Sequence, residues 1–316
     1  NLAQPRLGAA VVHATDDFFA DKSRLIDPAE PVFVPGKYDQ NGKWMDGWES
    51  RRKRGAGHDH CTIRLGRPGR IFRVEIDTRH FTGNFPPAAS VSACRSEAAV
   101  PAASAVWTEI VPPMALAGDD RAFVDLAGNV AWTHVRLHLY PDGGVARLRL
   151  WGLVAADLDR LAPPLDLAAL LNGGRAVAAN DEHFGALENI LAPGRSETMA
   201  DGWETRRRRE PGYDWGLIAL ATPGIVDEVL VDTGHFKGNF PHEVSLQAAH
   251  VSDLPDIALP AQAHYWPLLL PPQRLSADAE HRFRDALADI GPVSHVRVNL
   301  HPDGGISRLR LFGRPG

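Results

Sequence analysis

Cysteine is scarce in this chain of 316 residues, which contains only Cys61 and Cys94. Two cysteines are too few to form a disulfide framework or a cysteine-rich zinc site. We therefore expect both side chains to be buried free thiols.

Long apolar runs and an excess of positive charge are also missing. No segment approaches the roughly 20 apolar residues of a membrane-spanning helix, and the first residues lack the basic and apolar regions of a signal peptide. The formal net charge is -5, which does not favour binding to the phosphate backbone of nucleic acids. These absences predict a cytoplasmic protein that binds neither membranes nor nucleic acid. The sequence also lacks a nucleophile elbow, a Walker loop and a dinucleotide-binding fingerprint.

The motifs that are present occur twice. "DGWESRRKR" begins at Asp46 and returns as "DGWETRRRR" at Asp201. "VEIDTRHFTGNFP" at Val74 returns as "VLVDTGHFKGNFP" at Val229, with the same offset. Towards the end of each copy "THVRLHLYPDGGVARLRLWG" matches "SHVRVNLHPDGGISRLRLFG", whereas the insertion "AEPVFVPGKYDQNGKW" occurs only in the first copy.

This repetition predicts that each copy is a complete domain. A pair of prolines and a pair of glycines lie between the copies and indicate a linker. The predicted domains are 1–158 and 172–316, joined by a linker at 159–171.

Apolar and polar residues alternate in both copies, as in "VRLHLY" (135–140) and "RLRLW" (147–151), which is typical of half-buried strands. The "PDGG" between them favours a tight hairpin turn, and the arginines of "RLRL" are expected on a solvated surface. Only "DDFFADKSRLI" and "AEHRFRDALADI" suggest helices. The fold prediction is all-β, with two tandem jelly-roll β-sandwich domains.

The stretch after "DG" is a candidate binding strand in each copy. Alternation would place Glu49 and Arg51 on one side with Trp48 on the other, and Glu204 and Arg206 likewise in the second copy. An arginine fork is suited to binding a planar carboxylate. The alternative is that Glu49 pairs with Arg51 on a solvated surface around a buried tryptophan.

The "DTRHFTGNFP" motif combines Asp77, His80 and Asn84 at a strand end and a loop, where binding sites on rigid sandwiches are common. Histidine exchanges protons near neutral pH, and an aspartate can orient it. Alternatively, these side chains only form turns and a surface histidine. The equivalent residues of the second copy are Asp232, His235, Lys237 and Asn239.

His58 and His60 in "GHDHC" would share one side of a strand and are candidate metal ligands. Two histidines alone make an incomplete site. The second copy has Tyr213 and Trp215 at these positions.

Taken together, the motifs resemble those of allantoicases. The resemblance is carried by "ATDDFFA", "PGKYDQNGKWMDGWESRRKR", "DTRHFTGNFPP", "THVRLHLYPDGGVARLRL" and their second-half partners, and it spans residues 7–313. It implies galactose-binding-like jelly rolls, a homo-oligomer, and a hydrolase of purine degradation that converts allantoate and water to ureidoglycolate and urea. Some allantoicases are manganese-stimulated, so the resemblance also implies Mn as a candidate cofactor.

Allantoate is a small carboxylate whose central carbon carries two ureido groups. We expect Arg51 and Arg206 to bind its carboxylate, and amide or acidic side chains to bind the ureido groups. Glu49 or His80, and Glu204 or His235, are predicted to transfer protons, because urea nitrogen leaves poorly unless it is protonated. The predicted substrate-binding residues are Asp46, Arg51, Arg52, Asp77, Asn84, Asp201, Arg206, Arg207, Asp232, Lys237 and Asn239.

Two alternatives to allantoate hydrolysis stay open at this point. One is a tandem carbohydrate- or ligand-binding module without catalysis, and the other is an enzyme acting on the neighbouring substrate ureidoglycolate. The sequence also leaves open whether one copy carries the active site or whether both copies contribute to it.

Overall fold

A computed structural model describes residues 1–316 and separates them into two compact units, Asn1–Ala156 and Asp157–Gly316. Each unit is built almost entirely from antiparallel strands, and the prediction of an all-β fold with two tandem repeats is confirmed. No helix has the length and apolar character needed to cross a membrane.

The strands of the first unit are β1 (Ala10–Ala14), β2 (Tyr38–Asp39), β3 (Gly42–Lys43), β4 (Trp48–Glu49), β5 (Asp59–Asp77), β6 (Ala88–Cys94), β7 (Thr108–Ala115), β8 (Arg121–Asp125), β9 (Ala131–Tyr140), β10 (Gly144–Val145) and β11 (Arg147–Val154). Those of the second unit are β12 (Leu165–Asp166), β13 (Arg175–Ala179), β14 (Trp203–Glu204), β15 (Asp214–Asp232), β16 (Glu243–Ala249), β17 (Leu268–Arg274), β18 (Glu280–Phe283), β19 (Val293–His301), β20 (Gly305–Ile306) and β21 (Arg308–Pro315).

Helical structure is limited to single turns. The one α-helix is α1 (Leu259–Ala263). The 3₁₀ turns are Pro5–Leu7, Lys22–Ile26, Leu158–Arg160, Leu170–Asn172, Leu187–Leu191, Met199–Asp201 and Asp256–Ala258.

A long bent strand organises each unit. The first half of β5 pairs with β1 and β9, and its second half pairs with β8 and β11. The register shifts between Arg64 and Gly69, within "RLGRPG". The seven strands are hydrogen-bonded as one continuous sheet. The bend divides it into the two sheets of the sandwich, the five-stranded sheet β1-β5-β9-β6-β7 and a second sheet in which β8 and β11 pair with β5. In the second unit β15 bends in the same way between Ala219 and Gly224.

The side chains between the two sheets form the hydrophobic core of the first unit. Ile63, Val135 and Leu148 come from different strands and are completely buried around Trp48. Each fully buried aliphatic side chain of this kind contributes roughly 1.5–3 kcal/mol to stability. The expectation that Cys61 and Cys94 are buried free thiols is confirmed.

The predicted hairpin at "PDGG" is wrong. β9 and β11 do not pair with each other, because both pair with β5, on its first and second halves. The turn instead carries the chain from one sheet to the other, and on the way β10 pairs with the short strand β4. The residues of "PDGG" correctly predicted that the chain turns here. They could not predict which strands pair, because the partner of β9 and β11 lies far away in the sequence.

The arginines of "RLRL" are buried, which corrects the expectation of a solvated surface. Arg147 and Arg149 are only 1% and 4% exposed. A loop covers them, since Arg147 Nε donates to the carbonyl of Ala29 at 2.9 Å and Arg149 pairs with Glu30 at 3.1 Å. Alternation therefore predicted correctly that the arginines and the leucines lie on opposite faces of β11. Both faces are buried, one by the hydrophobic core and the other by the loop.

Three other expectations about local structure differ from the fold. "AEHRFRDALADI" contains strand β18, paired with β15, and not a helix. "DDFFADKSRLI" contains only the 3₁₀ turn Lys22–Ile26, because so short a helix is marginal in water. The latter part of the predicted linker 159–171 contains β12, which pairs with β21 of the second unit.

A buried phenylalanine joins the repeated motifs in each unit. Phe81 of "HFTGNFP" is fully buried and lies against the backbone of Gly144 of "PDGG", where an added Cβ would come within 2.1 Å of the ring. Phe236 contacts Gly305 in the same way, and a Cβ added to this glycine would come within 2.0 Å of the ring. Glycine is therefore required at these positions by close approach.

We expect Gly144→Ala to lower the free energy of unfolding by roughly 1–3 kcal/mol, because the extra methyl group overpacks against Phe81. Gly83→Ala is the matched control, since a Cβ there meets nothing within 4 Å. Denaturant unfolding of both variants measures the difference. Equal midpoints for the two variants would contradict the packing argument.

Candidate active site

A glutamate and an asparagine from different motifs meet in the first unit. Glu49 of β4 lies opposite Gly144 of β10, and the amide of Gly144 donates to the carbonyl of Asn84 at 2.7 Å. Asn84 Nδ2 then donates to Glu49 Oε1 at 2.8 Å. The short β4–β10 pair therefore fixes both side chains relative to each other.

The second unit builds the same pair. Glu204 lies opposite Gly305, whose amide donates to the carbonyl of Asn239 at 2.8 Å. Asn239 Nδ2 donates to Glu204 Oε1. Both repeats thus bring together the predicted proton-transfer glutamate and the predicted binding asparagine.

In the second unit this pair lines an open pocket of about 540 Å³, a size within the range of about 300–1,000 Å³ typical of small-molecule sites. The pocket is rich in polar groups and contains cations as well as the glutamate. Its lining residues are Phe184, Glu204, Thr205, Arg207, Arg208, Gly238, Asn239, Phe240, His242, Pro302, Asp303 and Gly304.

Two arginines of the basic run reach this pocket. Arg207 is exposed, and its guanidinium makes no hydrogen bond or ion pair within the chain. Arg208 donates its backbone amide to Asp303 at 2.7 Å, its Nη1 lies 3.7 Å from Asp214 Oδ1, and its buried Nε has no partner. The guanidinium of Arg207 therefore retains its donors for an anionic ligand, whereas that of Arg208 is already paired on one side.

Arg206 is placed differently from the prediction. Its Nε bonds Asp181 Oδ2 at 2.7 Å, and Arg51 bonds Asp16 at the same distance in the first unit. The predicted alternation fails because the strand ends at Glu204, so that the following residues are irregular. The predicted Glu49–Arg51 pair is also absent, since Glu49 bonds Asn84.

The first unit places equivalent cations around its glutamate. Lys53, at the position of Arg208, pairs with the buried Asp59 at 2.9 Å, as Arg208 pairs with the equivalent Asp214 at 3.7 Å. Arg52, at the position of Arg207, is exposed, as Arg207 is. Burial raises the pKa of Glu49, although the hydrogen bond from Asn84 opposes this shift.

The insertion found only in the first copy packs beside this site. Its backbone amide at Val32 donates to Asp46 at 2.9 Å, and Asn41 Nδ2 donates to the carbonyl of Phe18 at 2.8 Å. Lys43 of the same insertion lies close enough to Glu49 to favour its charged form. In the second unit a shorter loop takes this place, and Met199 Sδ of that loop lies 3.5 Å from Asn239 Nδ2.

His80 and His235 hold loops in place. Both adopt φ of 71°, and their backbone amides donate to Asp119 and Asp278 at 2.8 and 2.7 Å. The ring Nε2 of His80 contacts the carbonyl of Pro31 at 3.1 Å, and that of His235 contacts a loop carbonyl at 2.9 Å. Neither ring hydrogen-bonds to the glutamate of its unit, and His235 does not line the pocket.

Asp46 and Asp201 are tied to buried arginines. Asp46 Oδ2 pairs with Arg147 at 2.8 Å, and Asp201 Oδ2 pairs with Arg308 at 2.6 Å. Arg147 and Arg308 also donate to the backbone carbonyls of these two aspartates. These contacts give the aspartate of each "DGW" motif a structural role.

Asp77 and Asp232 are likewise engaged by their own unit. Asp77 is fully buried and accepts from Arg79, which holds its pKa below the usual value although burial acts in the opposite direction. Asp232 accepts from the amide of Gly234 at 2.7 Å. Lys237 is exposed and does not line the pocket.

Three residues of the pocket were missed by the sequence analysis as binding residues: Arg208, His242 and Asp303. Arg208 stands in the same basic run as Arg207, and Asp303 belongs to "PDGG", which was interpreted only as a turn. Both positions recur in the first copy near the repeated glutamate, and this recurrence could have identified them as binding residues. His242 gave none, because the first copy has Pro87 at this position.

A separate histidine cluster lies on the five-stranded sheet of the first unit. His58 and His60 are joined by His138, and one ring nitrogen of each lies within 4.8 Å of the others. Burial lowers the pKa of His60 and of His138 to about 4, and the nearby charge of Arg136 acts in the same direction.

The histidine cluster is the natural place to look for manganese, the metal implied by the family resemblance. It is the one group of three or more histidine, cysteine or acidic side chains whose geometry could hold a metal ion. Its donors are imidazoles alone, whereas manganese favours carboxylate, carbonyl and water oxygens. The cluster therefore does not fit manganese.

The fold and the pocket define a class of protein, an enzyme-like tandem jelly roll with a glutamate–asparagine pair in each repeat. A family model described as "Allantoicase repeat" matches residues 1–155 and again residues 165–316. The chain therefore belongs to the allantoicase family.

Individual relatives agree with this assignment. "Probable allantoicase 2" of Burkholderia pseudomallei (strain K96243) is 57% identical over 315 residues, covering 99% of this chain and 94% of the relative. "Probable allantoicase" of Ralstonia nicotianae is 54% identical, with the same coverage of both chains. The crystal structure of allantoicase from Saccharomyces cerevisiae has 34% identity and a TM-score of 0.81, covering 99% of this chain and 92% of that one.

We expect Asp46→Ala to lower the free energy of unfolding by about 3 kcal/mol, because it leaves the buried guanidinium of Arg147 without its carboxylate. Asp120→Ala, which removes an exposed acid, should change stability by less than about 0.5 kcal/mol. Denaturant unfolding provides the comparison. A variant at Asp46 with wild-type stability and a raised KM would instead assign Asp46 to the substrate.

Proposed function

We propose that this protein hydrolyses allantoate to ureidoglycolate and urea, and that the pocket of the second unit binds the substrate. The observation that carries the site proposal is the meeting of Glu204, Asn239 and the unpaired Arg207 in one open pocket. Membership of the allantoicase family supports the reaction.

Arg207 and Arg208 are the proposed binding groups for the substrate carboxylate. A guanidinium group presents several donors in a fixed plane, which matches the two oxygens of a carboxylate. Arg207 makes no ion pair within the chain, and Arg208 keeps an unpaired Nε beside its 3.7 Å ion pair with Asp214, whereas Arg206 already binds Asp181 at 2.7 Å. This replaces Arg206, and its equivalent Arg51, in the role that alternation suggested.

Glu204 is the proposed proton-transfer group. Its proton passes to the departing nitrogen as the bond to the central carbon breaks, while the remaining ureido nitrogen donates its lone pair to that carbon. Water then adds to the carbon of the resulting N-acyl-iminium cation, and Glu204 takes up the proton that this water releases. One water is consumed, urea leaves, and Glu204 returns to its initial state.

Asn239 acts as a positioning residue in this proposal. Its Nδ2 is committed to Glu204 Oε1, which holds the carboxyl group in one orientation. Its side-chain carbonyl remains available to accept from a ureido group. His242 and Asp303 provide further polar groups along the pocket wall.

A second candidate site is the Glu49–Asn84 pair, because burial raises the pKa of Glu49 and shifted carboxyl groups are common at catalytic centres. The neighbouring insertion, whose backbone amide at Val32 donates to Asp46, favours a structural role for this copy. Homo-oligomeric assembly, a cytoplasmic location and the lack of nucleic-acid binding stay predictions.

We expect the protein to release urea from allantoate, and Glu204→Gln to slow this release by at least about 100-fold, the usual contribution of a proton-transfer group. A colorimetric urea assay with allantoate and, separately, with ureidoglycolate measures both points. Urea from ureidoglycolate alone would assign the enzyme to the neighbouring substrate.

Glu49→Gln is the matched control, because glutamine preserves an acceptor for the amide of Asn84. We expect this variant to retain near wild-type urea release. The opposite pattern, with an inactive Glu49→Gln and an active Glu204→Gln, would place the active site in the first unit.

Arg207→Ala should lower kcat/KM by roughly 10- to 100-fold, mainly through KM, because a charge-assisted hydrogen bond to the substrate is lost. Arg206→Ala, at the adjacent position, removes a cation that already binds Asp181 and should have little effect on KM. Steady-state kinetics with allantoate separates the two. A larger effect on KM from Arg206→Ala would reverse the assignment.

A further inference from the structure

Three histidines of the first unit are held on rigid neighbouring strands. His60 of β5 lies directly opposite His138 of β9 in the antiparallel register. His58 stands two residues earlier in the chain, and its Nε2 lies 2.9 Å from Nδ1 of His138. The three ring centroids are 5.1 to 6.2 Å apart.

The spacing of the nitrogens suits a small cation. Nitrogens bound to a tetrahedral zinc ion at about 2.0–2.1 Å lie about 3.3 Å from one another. The ring nitrogens of the cluster lie within 4.8 Å of one another, and one pair is already at 2.9 Å. Small rotations of the rings therefore suffice to reach this geometry, and all three side chains are partly exposed to entering ions.

A second layer of contacts orients the rings. Ser92 Oγ on β6 lies 2.8 Å from Nε2 of His138, which leaves Nδ1 directed at His58. The ring of Tyr140 lies 4.7 Å from that of His58, and His13 stacks on His60 at 5.4 Å. Partners that fix the second ring nitrogen of a histidine are characteristic of metal ligands.

The second unit shows that the fold does not need these histidines. Trp215 and Asn299 occupy the opposite positions on β15 and β19, and Tyr213 stands in place of His58. There, Arg297, the equivalent of Arg136, lies over the rings of Tyr213 and Trp215 at 5.6 and 4.9 Å. The histidine cluster is therefore specific to the first unit.

We propose that His58, His60 and His138 form a binding site for one divalent transition-metal ion of the zinc class, with a fourth coordination position open to water. The donor set is all imidazole, which suits zinc, cobalt, nickel or copper better than manganese. The site belongs to the first unit, whereas the pocket assigned to the substrate belongs to the second, and the proposal does not depend on the proposed function.

The test measures metal binding by the full-length protein, stripped with chelator and freed of any affinity tag. Titration calorimetry with Zn²⁺ alone should show one saturable ion per chain, and Mn²⁺ should bind at least about 10-fold more weakly. Co²⁺ should give visible absorption bands typical of a site with nitrogen ligands. Failure of Zn²⁺ to saturate at one equivalent, or equal affinity for Mn²⁺, would overturn the proposal.

The variants His138→Asn and His58→Tyr copy the residues of the second unit and should therefore fold. Each should weaken Zn²⁺ binding by more than about 10-fold and abolish the Co²⁺ bands. Ser92→Ala should weaken binding about 10- to 100-fold, as loss of an orienting partner does. The control His250→Asn removes an exposed histidine of the second unit and should bind Zn²⁺ as the wild type does. Wild-type affinity in His138→Asn would refute the site, whatever the result of the urea assays.

Discussion

The contact between one phenylalanine ring and glycine backbone holds each candidate site together. Phe81 lies so close to Gly144 that this position has no room for a side chain, and Phe236 contacts Gly305 in the same way. The same rings also approach Gly47 and Gly202, where backbone carbonyls leave no room for a Cβ either. The contact brings three motifs that are distant in the sequence to one place. As a result, the glutamate that follows "DGW" accepts a hydrogen bond from the asparagine of "GNFP". The glycines of "PDGG" lie between these two motifs.

Much of the repeated polar sequence serves this scaffold. The aspartate of each "DGW" motif binds an arginine that is almost completely buried, Arg147 or Arg308. Removing charged groups from water is costly, so such arginines need a full set of acceptors. The fold supplies carboxylate and carbonyl oxygens from loops that would otherwise be free to move. Aspartates and arginines, which suggest catalysis when seen in the sequence, therefore also hold loops in place.

The sequence predicted the architecture well because duplication and period-two alternation are properties of the chain itself. It singled out the glutamate and asparagine of the candidate site because each recurs in both copies. It did not predict the pairing of β9 and β11 with β5, since strand partners are set by the whole sheet. It favoured Arg206 over Arg207 because alternation was extended beyond the end of β14. His138 was missed as a partner of His60, since only the register of β5 and β9 places them opposite each other.

The pairing of the bent strand β5 affects when the first repeat can fold during synthesis on the ribosome. Its partners include β1, which precedes it, and β11, which closes the repeat. The sheet that contains β8 and β11 cannot be completed until the last strand of the repeat has been synthesised, and such long-range pairing is slow. Similar repeats are prone to exchange strands while they are unfolded. Because synthesis is sequential, β11 emerges before any strand of the second repeat, so the first repeat can close before its near-copy exists.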